Sequence, residues 1–152
     1  MKGIGLTLML NPNFLLGLTD TETVKLDCDE SSFQSVKCLA EKTLKKFNLE
    51  GFIILRSSKN NYHVVFNREV EWSENVSIMS WVVLTNKKPK LLKWFLLQCI
   101  RKASTLRVSS KGDKPSPRIV FRNGGSVGQI KVFLCFRSQI KRFLSMVLSD
   151  NN

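Results

Sequence analysis

"GFIILRSSKNNYHVVFN", residues 51–67, decides how this chain folds. Its first part is a continuous apolar run, the pattern of a strand covered on both faces. "SKNN" then breaks the run, and asparagine tolerates the left-handed backbone that a tight turn requires. "YHVVFN" reads as a second strand, so residues 51–67 form a β-hairpin.

The elements before the hairpin complete a unit. Residues 23–29, "TVKLDCD", read as a strand. "SSFQ" supplies a capping box, with Ser31 at the N-cap and Gln34 three positions on. Phe33, Val36, Ala40, Leu44 and Phe47 keep helical spacing to about Asn48. Strand, helix, strand, strand and a later helix is the order of an α+β split βαβ sheet, RRM-like or ferredoxin-like, with packed helices. Such a fold hosts many functions, so function has to be argued from a site.

The rest of the chain is less regular. Ser73 in "WSEN" caps a segment running to about Leu84, with a periodicity that suits helix or strand. Pro89 suits the first turn of a helix to about Lys102. That helix is apolar nearly all round, so deep packing is expected. "STLRVSS" is a short strand or extended loop, "KGDKPSP" a loop, "RIVFR" a strand and "NGGSVG" a flexible turn. Residues 129–148 form an amphipathic helix. One domain is expected: an N-terminal extension (1–22, a strand then a loop), an acidic and histidine-bearing unit (23–68) and a basic half (69–152). Trp72, Trp81, Trp94 and Tyr62 are expected in its core.

The 152 residues are 43% apolar, enough to build a core and too many for a disordered chain. No run of 18 apolar residues exists, so no membrane-spanning helix is expected. "MKGIGLTLML" lacks a small-residue cleavage site, so no signal peptide is expected. The four cysteines, Cys28, Cys38, Cys99 and Cys135, form no C-x-x-C pair and lie in apolar segments. Buried free thiols in a reducing, cytoplasmic compartment are the expectation. A single histidine, His63, leaves little for a structural zinc site or a His-x-His nuclease.

Charge is unevenly spread. The net charge is +12, yet residues 1–75 carry nine Lys/Arg against ten Asp/Glu. Residues 76–152 carry fifteen against two, a net of +13. This asymmetry points to a polyanionic partner, with nucleic acid first and an anionic membrane surface second. Arg107, Lys111, Lys114, Arg118 and Arg122 cluster in or beside a Pro/Gly-punctuated loop and are the candidate phosphate-backbone contacts. No membrane association is expected, although residues 129–148 keep docking on a lipid surface or a protein as a third reading.

Chemistry concentrates in the first unit. Strand alternation puts Lys25, Asp27 and Asp29 on one face, where two carboxylates repel. A divalent cation, Mg²⁺ or Mn²⁺, relieves that repulsion and binds nucleotide phosphates. In a split βαβ sheet the first strand pairs with the third, which carries His63. The turn before it holds Arg56, Ser57, Ser58 and Lys59.

"LDCDE", a helix, and a hairpin with "LRSSKNNYHVVF" resemble the catalytic core of archaeo-eukaryotic primases and primase-polymerases. That family shows an acidic D-x-D or D-x-E strand, a helix, and a hairpin ending in a Ser-x-x-His-like motif. The resemblance covers about residues 20–68 and continues weakly into "STLRVSSKGDKPSP". It implies template-directed nucleotidyl transfer in replication. Asp27 and Asp29 would be metal ligands and catalytic, and His63 would be catalytic and contact the nucleotide's phosphates with Ser57, Ser58 or Lys59. Arg107 would be a further nucleotide or template contact. The implied partners are a nucleoside triphosphate, a single-stranded or template DNA or RNA, and a replication partner subunit. The family also carries a third acid on a later strand, whereas residues 75–112 here contain no Asp or Glu and "LLQCIRKAS" stands at the expected place. The usual glycines of the histidine turn are absent too. Glu69, Glu71 and Asp113 are the nearest candidate replacements. The competing reading is a catalytically inactive relative that binds single-stranded nucleic acid.

Overall fold

Near-continuous apolar runs on adjacent strands, buried on both faces, build the centre of the molecule, described here from a computed structural model. The structure describes residues 5–9 and 15–149. Residues 1–4, 10–14 and 150–152 lie outside them, and where a loop was expected after the first strand, residues 15–20 form a second strand instead.

Eleven elements follow in order: β1 (Gly5–Met9), β2 (Leu15–Asp20), β3 (Thr23–Cys28), α1 (Phe33–Phe47), β4 (Phe52–Ser58), β5 (Asn61–Glu69), α2 (Trp72–Asn86), α3 (Pro89–Arg101), β6 (Ser104–Arg107), β7 (Arg118–Asn123) and α4 (Gly128–Ser149). Among the described residues they form two antiparallel sheets, β3-β5-β4-β7 and β1-β2-β6, with four helices: an α+β fold.

β3 and β4 both run antiparallel to β5 between them, so they are parallel to each other and joined through α1, a split βαβ unit. β7 adds beside β4 rather than beside β3, opposite to the edge where a complete ferredoxin-like sheet carries its last strand. The second sheet was not expected. Its β1 and β2 come from the N-terminal extension, which therefore is no appendage: Leu16 and Leu18 are core residues.

The four-stranded sheet is apolar on both faces. Val24, Leu26, Phe52, Ile54, Val64 and Phe66 pack with α1, α2 and α3. Ile53, Leu55 and Val65 face Leu16, Leu18 and Leu106 of the second sheet and Ile130 and Phe133 of α4. Lys25 leaves β3 toward that second layer and is wholly buried, so it must be paired. Its Nζ donates to Asp20 Oδ2 (2.6 Å), the Ser104 carbonyl (3.1 Å) and Ser104 Oγ (3.4 Å), which ties β3 to β2 and β6.

Several local expectations need correction. Ser32, not Ser31, caps α1, accepting from the Ser35 N–H at 3.1 Å, while buried Ser31 donates to the Asp29 carbonyl. The segment after "WSEN" is a helix; it starts at Trp72 behind Glu71 and has no side-chain cap. α3 is not deeply packed: only Leu91 and Gln98 are buried, and Leu96 and Ile100 are 51% and 76% exposed. Too few elements surround α3 to cover an apolar circumference. Of the cysteines, all free, only Cys28 is buried, and Cys135 is exposed. Tyr62 is buried, and Trp72, Trp81 and Trp94 pack half-buried against the core. Among the described residues no helix is long and apolar enough to cross a membrane.

Candidate functional site

The β3–β5 ladder sets Asp27 directly opposite His63. Cross-strand neighbours on one face lie close enough for side chains to interact. Here His63 Nε2 stands 3.5 Å from Asp27 Oδ1, too long for a strong hydrogen bond. Leu55 pairs with His63 from the other side, so the histidine is walled in by β3 and β4 and only 4% exposed. Asp27 keeps 27% of its side chain exposed, but its Oδ1 is enclosed without a hydrogen-bond partner, as is His63 Nδ1.

Unmatched burial shows in the protonation states. Burial pushes Asp27 up to about 7; Asp29's charge adds to this, and Arg107 and Lys114 oppose it. Burial, with Arg107 beside it, holds His63 down at about 3. At neutral pH the imidazole is uncharged, and the 3.5 Å approach to Asp27 is not an ion pair.

Arg107 reaches the same place from β6, in the second sheet. It is fixed by backbone carbonyls: Nη1 donates to Ser109 and Pro115, and Nη2 to Ser57 at 3.1 Å. One guanidinium thus joins the end of β4 to the loop before β7 and directs charge at Asp27 and Asp29. Asp27, Asp29, His63, Ser57 and Arg107 are therefore gathered at one end of the sheet.

Beside them opens a cleft of about 540 Å³ between the β4–β5 turn and the loop before β7. Arg56, Ser57, Ser58, Lys59, Lys114 and Arg118 line it, with Asp113 as the acid among them. Asn61 braces the turn, donating to Ser58 Oγ (2.6 Å) and the Lys59 carbonyl (3.0 Å). Lys111 and Lys114 close a small turn through paired backbone bonds of 2.9 and 3.0 Å, with Gly112 left-handed between them. Arg122 does not join this cleft. It stands opposite Ile53, while Arg118 stands opposite Arg56, so the two arginines lie apart along β7.

Among the described residues no third acid completes the pair. "LLQCIRKAS", where one was expected, is the end of α3 and its turn into β6. Glu69 pairs with Thr23 at the far end of the β3–β5 ladder, and Glu71 precedes α2 at that same end. Asp113 alone of the three reaches the cleft. Among the described residues no three His, Cys, Asp or Glu side chains cluster as metal ligands. A two-ion site does not fit these donors. The donors would suit one Mg²⁺ or Mn²⁺ at most, because Mg²⁺ is commonly held by one or two carboxylates plus substrate phosphates, and Asp27 has an unbonded oxygen.

Arg56, expected in the turn before His63 but given no role there, lines the cleft. Two cationic contributors, Lys88 and Lys90, escaped the sequence reading. Lys88 donates to the Glu30 carbonyl (2.7 Å), and Lys90 pairs with Glu30 (2.7 Å), bringing the start of α3 to the rim beside Asp29. The basic run "KKPK" was the available signal, masked by the apolar helix that follows.

No protein-family model, no curated protein and no solved structure matches this chain.

Proposed function

We propose that this domain is a primase-polymerase-like nucleotidyltransferase that binds a nucleoside triphosphate and a nucleic-acid template at the Asp27–His63–Arg107 site, inside the reducing interior of the cell. The observation that carries the reading is the cross-strand placement of Asp27 against His63, with Arg107 beside them and bonded to the carbonyls of Ser57 and Pro115, two residues that line the cationic cleft. Neutral His63 has a nitrogen with no partner in the protein, suited to a phosphate oxygen or hydroxyl. Arg107, held by carbonyls, keeps its charge oriented toward the acids, where a triphosphate bound to them would also lie. Lys59, Lys114 and Arg118 supply cations along the cleft for the remaining phosphates or the template backbone, and Ser57 and Ser58 set the turn that carries Lys59. Mg²⁺ or Mn²⁺, held by Asp27 and Asp29, would supply electrostatic stabilisation of the transferring phosphoryl group.

A second reading has its own observation. Arg107 and Lys114, rather than a third carboxylate, face the acid pair, which favours phosphate binding without nucleotidyl transfer. Labelled-nucleotide incorporation on a single-stranded template separates the two, with and without a primer, in Mg²⁺ and in Mn²⁺. Metal-dependent synthesis by the wild type, lost in Asp27→Asn and Asp29→Asn, is the expected result. Tight template binding with no synthesis by the wild type would replace the enzyme by the binding module. Synthesis undiminished in both variants would remove the acids from the site altogether.

A further inference from the structure

Along edge strand β7, on the face that helix α4 covers, the structure gathers cations with no acid beside them among the described residues. Arg122 stands opposite Ile53, whose face of the sheet is covered by Ile130 and Phe133 of α4. Arg137 on α4 donates through Nη2 to the carbonyl of Pro117, just before β7. Its Nε is enclosed and has no hydrogen-bond partner. Lys141 follows one turn later on the same side of the helix. The three charges interact: Arg122 repels Arg137, which is also stripped of water, and Arg137 repels Lys141. Residues 114–149 contain no Asp or Glu, so these elements hold nothing to offset them.

Like charges held together, with part of an arginine fork unused, suit a polyvalent anion. The position says which kind. β7 runs from Arg118 in the cleft to Arg122, about 13 Å of extended strand, a distance a few nucleotides of single strand cover. A lipid surface fits less well, because Phe136 lies on the other border of α4, in a crevice with Leu18 and Thr23, and Phe143 shares that side. The cationic border therefore carries no aromatic wedge.

We infer that Arg122, Arg137 and Lys141 form a second phosphate-binding site that grips the backbone of a single nucleic-acid strand passing from the cleft along β7. The inference rests on the proposed nucleic-acid function and extends it to residues outside the primase-like unit.

The test is fluorescence anisotropy of labelled single-stranded oligonucleotides, short and long, over a salt series. Arg122→Gln/Lys141→Gln removes two exposed side chains and leaves the Arg137–Pro117 bond in place. For a long oligonucleotide the slope of log affinity against log salt should fall by about 1.4 and the affinity by on the order of tenfold. Nucleoside triphosphate binding should be unchanged. Arg137→Lys, which keeps the charge and loses the fork, should weaken the same oligonucleotide without altering the salt slope by more than about 0.3. A wild-type slope and affinity in the double variant overturns the second site while leaving the cleft untouched. Binding of anionic vesicles in place of oligonucleotides overturns it in favour of a membrane. Loss of both oligonucleotide and nucleotide affinity in the wild type itself sinks the proposed function as well.

Discussion

Lys25 and Asp27 stand two residues apart on one strand, toward the same layer, yet their surroundings are opposite. Lys25 has an acid at 2.6 Å and two oxygens of Ser104 within 3.4 Å. Asp27 has an enclosed oxygen with no hydrogen-bond partner and a second acid alongside. Burying charge therefore serves two ends in this protein. In the middle of β3 it locks one sheet to the other; at the end of β3 it keeps an acid unsatisfied, which on the proposed reading is where ligand binds.

The largest break in that comparison should come from the satisfied side. Asp20→Ala leaves Lys25 as an unpaired buried charge and should cost about 3–5 kcal/mol in urea unfolding. Lys25→Met removes the fully buried cation and leaves Asp20, 11% exposed, still accepting from the Glu22 and Thr23 N–H groups, so it should cost less, no more than about 1.5 kcal/mol. Equal losses in the two variants would mean that the ion pair itself, rather than an orphaned lysine, sets the penalty.

The next effect is pH dependence. Asp27 is raised to about 7, so between its ordinary value of 3.8 and that point the folded protein keeps a proton that the unfolded chain releases. Stability then falls as pH rises through the window. His63 is held at about 3 against 6.5, so the unfolded chain takes up a proton that the folded protein refuses, and stability rises with pH up to about 6.5. The two slopes oppose each other, and the wild type should be nearly flat from about pH 4 to 6.5 in these contributions. His63→Gln should uncover the fall and Asp27→Asn the rise, each about 3 kcal/mol across the window. Slopes of one sign in both variants, read from urea midpoints, would show that these groups do not control the titration.

The smallest effect sharpens the contrast between stability and function. At pH 8 Asp27→Asn removes a buried charge and its repulsion with Asp29, and should stabilise the fold by about 1 kcal/mol. Nucleotide incorporation should be lost in that same variant. A destabilised Asp27→Asn protein would place Asp27 with Lys25, as a structural group.

The split βαβ unit was legible because its signals are local. Period-2 alternation in "VKLDC", helical spacing from Phe33 to Phe47 and asparagines in the turn each state a conformation within a few residues. The meeting of Asp27 with His63 was also within reach, since strand order follows from connectivity once the helix is recognised. α3 misled for the converse reason: its composition states that apolar surface exists, not that neighbours cover it. The Lys25–Asp20–Ser104 clamp joins residues 79 positions apart, and no local pattern marks that meeting.

By itself, then, the sequence determined the elements of the central unit, the acid pair, the lone histidine and the basic second half, because each is written in neighbouring residues or in composition. Tertiary structure alone decided that β7 takes the edge beside β4, that residues 15–20 and 104–107 pair over the Asp27 face, and that Arg107 meets the acids where a third carboxylate was sought. Those are contacts between distant segments, selected by which buried faces and charges can be satisfied together, and a linear pattern does not carry that constraint.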